Sequence, residues 1–257
     1  MNTIVLDHNV GKARYSTEEW RTRVDLAACY RLIAQYGMSD LIYNHITARI
    51  PGTDEHILIN PYGMLYEEIT ASSLVKIDIE GNVLDSPMGF GVNRPGYVIH
   101  SAVHKGRPDV NCVIHTHSRA GMAISAMKGG LLPLTQTAMR FKDIAYHDYE
   151  GVALDLDERE RLVADLGGVT TMVLRNHGLL AVGSSIPQAF NTMYWLEMAC
   201  KAQVDAMSST TDLLLPSEDI VEETYRQFQP EVRRPFGELE WPAMLRFLDR
   251  RDATYKN

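Results

Sequence analysis

The hydrophobic pattern changes period several times along the chain. In STEEWRTRVDLAACYRLIAQYGM, Trp20, Val24, Ala27, Ala28 and Leu32 recur at helical intervals behind a capping box, Ser16-x-x-Glu19, and the spacing predicts an amphipathic helix. YNHITARI and HILINPYG are short β-rich runs on either side of the turn PGTDE, and VKIDI and NVL around Glu80-Gly81 read as a second hairpin. Pro95 at a first helical position and Gly106-Arg107-Pro108 as a stop bound a helix within NRPGYVIHSAVHKGRPD. VNCVIHTHS is then a strand, and Ser118 caps a helix in RAGMAISAMK.

The second half alternates. DERERLVADLGG is a polar-faced helix stopped by glycine, and VTTMVLRNHGLLAVGSS holds two apolar runs around a turn at Asn176-His177-Gly178. SIPQAFNTMYWLEMACKAQVDAM is a long helix with Ser185-x-x-Gln188 as its capping box. SEDIVEETYRQF and EWPAMLRFLDRR predict two short helices in a C-terminal tail, residues 208–257, that packs on the domain or on a neighbour. Hairpins followed by alternating elements predict one α/β domain over residues 1–257, with a mixed, mostly antiparallel sheet covered by helices.

Composition narrows the function classes. With 257 residues, 45% of them hydrophobic, and a formal net charge of −8, the chain reads as a large globular domain and is poorly suited to a nucleic-acid groove. Cys29, Cys112 and Cys200 are far apart and in no CxxC pairing, which predicts small core residues and no thiolate metal site. The start, MNTIVLDHNVGKARYS, lacks the form of a secretory leader, and no apolar run approaches the roughly 18 residues of a membrane span, so a cytoplasmic protein without a membrane partner is expected.

Candidate chemistry centres on histidine. In NCVIHTHSRA, alternation along a strand sends His115 and His117 to one face and Thr116 to the other. His177, in the glycine-bearing turn RNHG between two apolar runs, is the best candidate for a third imidazole, and three such ligands with open positions suit a catalytic divalent metal. His100 and His104 are also four residues apart, but without the glutamate of a zincin helix they read as a polar helix face.

Taken in order, YNHITARI, LINPYGMLYEEITASSLV, RPDVNCVIHTHS, YHDYEG and LRNHGLLAVGSSIPQAF resemble the class II aldolase/adducin family over residues 20–210. The resemblance implies a three-layer αβα sandwich and a homotetramer with active sites at subunit interfaces. It also implies zinc, or alternatively manganese or iron, on His115, His117 and His177.

Departures from the family pattern shape the expected reaction. Where sugar-phosphate aldolases carry a Ser-Ser-Glu segment for phosphate and acid/base work, this chain reads Arg94-Pro95-Gly96. The family's glycine–asparagine pair reads Asn44-His45, and Gly63 is retained behind Tyr62 where a threonine is usual. His45, Gly63 and Arg94 are thus the substrate-binding candidates. Arg94 suits a carboxylate through a bidentate pair, so a small non-phosphorylated hydroxy or oxo acid is expected. In AYHDYEG the resemblance to the adducin-like branch points to Tyr146 or His147 as the catalytic acid, with His45 and Tyr97 as further candidates by position. Composition alone allows an exposed loop with a tyrosine packed beneath it.

These residues predict a metal-dependent lyase of decarboxylase or aldolase type. Two alternatives stay open. One is a non-haem iron oxygenase acting on an arylpyruvate-type acid, since three histidines also suit ferrous iron. The other is a non-enzymatic interaction protein like the adducins, which as a family lack the metal histidines.

Overall fold

The computed structural model describes residues 14–151, 156–210 and 212–257, with the side chains of residues 94, 95 and 156–158 outside that description. The opening segment read above for a leader falls, through residue 13, outside it as well. The order of elements is α1 (Thr17–Gln35), β1 (His45–Arg49), β2 (His56–Ile59), β3 (Val75–Asp78), β4 (Val83–Asp85), α2 (Arg94–Gly106), β5 (Cys112–Thr116), α3 (Arg119–Ser125) and α4 (Gln136–Met139). It continues with β6 (Ala145–His147), α5 (Leu156–Leu166), β7 (Thr171–Leu174), β8 (Gly178–Gly183), α6 (Ile186–Ser209), α7 (Glu218–Gln227) and α8 (Trp241–Asp249).

The helices begin where their capping residues stand. The hydroxyls of Ser16, Ser118 and Ser185 accept from the amides of Glu19, Gly121 and Gln188 at 3.1, 3.1 and 3.3 Å, each satisfying a donor that the first turn leaves unpaired. The strands form one eight-stranded sheet in the order β4-β3-β2-β1-β5-β8-β7-β6, antiparallel except for the edge pair β6–β7.

Alternation along the central strands feeds two cores. Ile46, Ala48, Ile114, Val173, Leu179 and Ala181 bury against α1 and α6. Val113, Met172, Leu174, Leu180 and Val182 bury on the opposite face against Val103 of α2 and Leu162 and Leu166 of α5. The result is the expected three-layer αβα sandwich. The C-terminal arm is tied to the first layer by Trp241, whose ring lies 5.6 Å from that of Phe190 and whose indole N–H donates to Asp25 at 2.9 Å. Cys29, Cys112 and Cys200 are buried free thiols in this core. No helix among the described residues is long and apolar enough to cross a membrane.

One expectation is corrected. His100 and His104 are not a polar face of α2 in contact with water: they are 0% and 1% exposed, on the side of the helix that packs against the sheet. Thr47 of β1 is what permits this, because its hydroxyl lies 2.7 Å from His100 Nδ1 and 2.8 Å from His104 Nε2 and serves both rings.

Candidate metal centre

Two connections bring the histidines together. His115 is the fourth residue of β5, and His117 follows just past the strand end, before the Ser118 cap of α3. His177 sits in the tight turn joining β7 to β8. That turn needs Asn176 at a φ of +55°, and it needs Gly178, because a Cβ there would stand 2.3 Å from the carbonyl oxygen of Thr116. The close approach of the turn to the end of β5 delivers His177 to the other two imidazoles.

The Nε2 atoms of His115 and His117 are 2.8 Å apart, and those of His117 and His177 are 3.0 Å apart. His115 Nδ1 lies 2.9 Å from the carbonyl oxygen of Leu179, which can only accept, so this nitrogen carries the proton. His117 Nδ1 likewise donates to the Asp40 carboxylate at 3.0 Å. With Nδ1 protonated on both, the neutral rings present two Nε2 lone pairs toward one another, an arrangement that a shared cation stabilises. Ligands at about 2.1 Å from a tetrahedral metal lie about 3.4 Å apart, so an ion would need these nitrogens to part by roughly half an ångström. His115, His117 and His177 are the only group of its kind found among the described residues. The donor set fits a divalent ion.

Electrostatics agree with that fit. Burial, reinforced by the neighbouring histidines, holds His115 well below the ordinary imidazole pKa, and burial with His117 lowers His177 to about 4. Neutral rings are what metal ligation requires.

Asp40 had no signature in the sequence. It lies in the turn after α1, 77 residues from its partner, beside Leu41 at a φ of +46°. A non-glycine residue in the left-handed region is uncommon and marks a turn held by its surroundings.

An open cavity of about 480 Å³ stands over the triad, with Asp40, Tyr43, His45, Tyr62, Asn93 and Tyr149 in its walls. His45 is opposite His115 in the β1–β5 register, with ring centroids 5.5 Å apart. It is buried, its ring nitrogens, beside the backbone of Tyr43 and Gly96, make no hydrogen bond of good geometry among the described residues, and burial lowers its pKa to about 4. Gly96 borders the same cavity, whereas Gly63 is exposed and does not line it; Tyr62 does. The side chain of Arg94 lies outside the described residues.

The predicted acids are placed unequally. Tyr146 points to the core on the other side of the sheet, where its hydroxyl accepts from the Leu131 amide at 3.0 Å and its ring lies 4.1 Å under the Arg175 guanidinium. It is not among the residues that line the cavity. His147 faces the opposite way, with Nδ1 2.7 Å from the Asp165 carboxylate, in a small pocket that also touches His177 and Tyr149. The aromatic ring that this segment brings to the triad is Tyr149, 6.3 Å from His177. Tyr97, also considered above, instead donates to the Asp78 carbonyl at 2.8 Å.

Residues 24–204 match the Class II Aldolase and Adducin N-terminal domain family. The chain belongs to that family. Among its relatives is a Caulobacter vibrioides protein named "Putative aldolase class 2 protein", 50% identical over 95% of each chain. Mouse alpha-adducin is 40% identical over 91% of this chain, which spans about a third (34%) of the adducin's length. A crystal structure of an aldolase II superfamily protein from Pseudomonas syringae superposes with a TM-score of 0.90 at 47% identity, covering 96% of this chain and 99% of the other. Membership in the class II aldolase/adducin family agrees with the fold and with a histidine triad able to take a divalent ion.

Proposed function

We propose that this chain is a divalent-metal-dependent carbon–carbon lyase acting on a small, non-phosphorylated hydroxy or oxo acid. The observation that carries the reading is the convergence of three Nε2 atoms, with the tautomers of His115 and His117 set from behind by Leu179 and Asp40. His115, His117 and His177 would hold the ion, zinc first and manganese or iron as alternatives. A divalent ion on three neutral imidazoles keeps its full charge and supplies Lewis acidity to a substrate oxygen beside the bond that breaks.

The residues around the triad do the rest. Asp40 orients His117 and fixes its tautomer, and the Leu179 carbonyl does the same for His115. Arg94-Pro95-Gly96 stands where the resemblance places the serines that hold phosphate, which disfavours a phosphorylated sugar. Gly96 offers no carboxylate for the hydroxyl proton that aldol cleavage must remove. Decarboxylation, which needs only an acid to protonate a carbanion, is less affected by that loss. The Tyr149 phenol, at the cavity wall and half exposed, is the group best placed to give such a proton, and the ring nitrogens of His45 can hold a substrate oxygen.

The test is metal analysis of protein purified without chelator, with His117→Ala as control, followed by an aerobic and anaerobic screen of 2-oxo, hydroxy and aromatic acids and sugar phosphates. Oxygen-independent cleavage of an acid supports the proposal. Turnover only in oxygen supports an oxygenase, and a sugar phosphate as best substrate overturns the proposed substrate class. A second reading, a non-catalytic interaction module, is favoured by the 40% identity to alpha-adducin. Equal metal in wild type and His117→Ala, with no turnover across the screen, would select it.

A further inference from the structure

Arg140 directly follows α4 and reaches into the space between the sheet and the C-terminal arm. Its guanidinium carbon lies 4.6 Å from the ring centroid of Phe236, 4.8 Å from Phe228 and 5.6 Å from Trp195. It makes no hydrogen bond and no ion pair among the described residues. Glu240, the carboxylate whose charge it feels most, is already taken by Arg234. Burial lowers the Arg140 pKa to about 10, so the group is charged at neutral pH without a counter-ion.

Rings against a guanidinium satisfy its faces and leave its N–H edge free for a planar, bidentate acceptor. Arg140 lines an open cavity of about 380 Å³, a volume suited to a small organic molecule. Thr171, Thr192 and Gln188 add neutral polar groups to its wall, and Phe228 and Phe236 add apolar surface. No residue is common to this cavity and the one over the histidine triad. Two exposed acids, Asp143 and Glu231, also border it, and the neighbouring Lys142 is engaged by Glu222 at 2.7 Å and by Asp143 at 3.6 Å. Arg140 is the one cation lining the cavity among the described residues, with Arg233 outside the lining at 5.4 Å from the Phe228 ring, and the two bordering acids make the site poorly suited to a polyanion.

The geometry points to a second ligand site, in which a small monocarboxylate with a flat apolar body is held by the N–H edge of Arg140 and packs against Phe228 and Phe236. Its walls come partly from the end of the sheet and partly from the C-terminal arm, so an occupant would brace the arm against the body of the protein.

Benzoate, with inorganic phosphate as comparator, is titrated calorimetrically into the 257-residue protein and its His117→Ala, Arg140→Met and Arg140→Lys variants, each checked by circular dichroism. Saturable benzoate binding is expected, weakened at least tenfold in Arg140→Met and unchanged in His117→Ala, with no matching affinity for phosphate. Should Arg140→Met not fold, Arg140→Lys decides, because it keeps the charge and loses the bidentate fork; weakening of at least severalfold is expected there. Absence of saturable binding, binding as tight in the folded Arg140 variants as in wild type, loss of binding in His117→Ala, or phosphate binding as tight as benzoate would each overturn the assignment.

Discussion

The imidazole of His45 abuts the α-carbon of Gly96 so closely that a Cβ at residue 96 would stand 2.2 Å from the ring's Cε1 and 2.4 Å from its Nε2. The two positions specify each other. The place where the resemblance puts the aldolase glutamate cannot carry a side chain while His45 occupies the adjoining space. Gly96→Ala is therefore expected to destabilise the protein by about 1–3 kcal/mol, as overpacking of a tight core does. Adding His45→Ala should return much of that loss. Urea unfolding of the two single variants and the double variant measures the coupling, and simple additivity would show that the close approach costs nothing.

Asp40, in the wall of the cavity, accepts a hydrogen bond from His117 Nδ1 at 3.0 Å. Asp40→Ala should leave the three Nε2 donors in place and weaken metal binding about 10- to 100-fold, the usual cost of losing such an outer partner. His117→Ala should weaken it further. Competition against a chromogenic chelator separates the two, and unchanged affinity in Asp40→Ala would mean that the carboxylate plays no part in ligation.

Local periodicity made much of the fold legible. The capping serines, both early hairpins and the same-face placement of His115 and His117 are short-range facts that alternation and helical spacing report directly. The misread positions depend on contacts between distant segments. His100 and His104 look like a wet helix face until Thr47, more than 50 residues earlier, is seen to sit opposite them with one hydroxyl for two rings. Asp40 has no local pattern at all. In AYHDYEG the difficulty was parity: only the pairing of Tyr146 with Val173 and of His147 with Leu174 decides which of the two faces which core. His177 was legible as a candidate because a histidine in a turn between two apolar runs has few structural reasons to be there.

That parity gives a direct comparison of two tyrosines. Tyr146→Phe removes the acceptor of the partly buried Leu131 amide and should cost about 1 kcal/mol of stability, with turnover of any substrate found by the screen unchanged in the folded enzyme. Tyr149→Phe removes a half-exposed hydroxyl at the cavity wall and should leave stability within about 0.5 kcal/mol of wild type while lowering kcat at least tenfold. Thermal melts and steady-state kinetics on the same preparations check both. A Tyr149→Phe enzyme with full kcat would remove that phenol from the proposed chemistry.

The buried histidines away from the triad set a pH dependence of stability. Burial, with the positive charge of Arg49 nearby, lowers His104 to about 3, and burial holds His100 well below its ordinary value. The Arg49 guanidinium donates to the His104 carbonyl, and Thr47 faces both rings from β1. The folded chain keeps these rings neutral while the unfolded chain protonates them near the ordinary imidazole pKa of about 6.5. Between that value and about 3 the unfolded state binds the extra proton, so stability falls as pH falls, by about 1.4 kcal/mol per pH unit for each such histidine. Above about 6.5 this contribution is flat. Urea unfolding at pH 7.5, 6.5 and 5.5 should show wild type losing stability mainly over the last step. His104→Gln, which keeps a polar partner for Thr47 and cannot titrate, should lose about 1 kcal/mol less over that step. Equal losses in the two proteins would mean that His104 titrates alike in the folded and unfolded chain, contrary to its burial beneath α2.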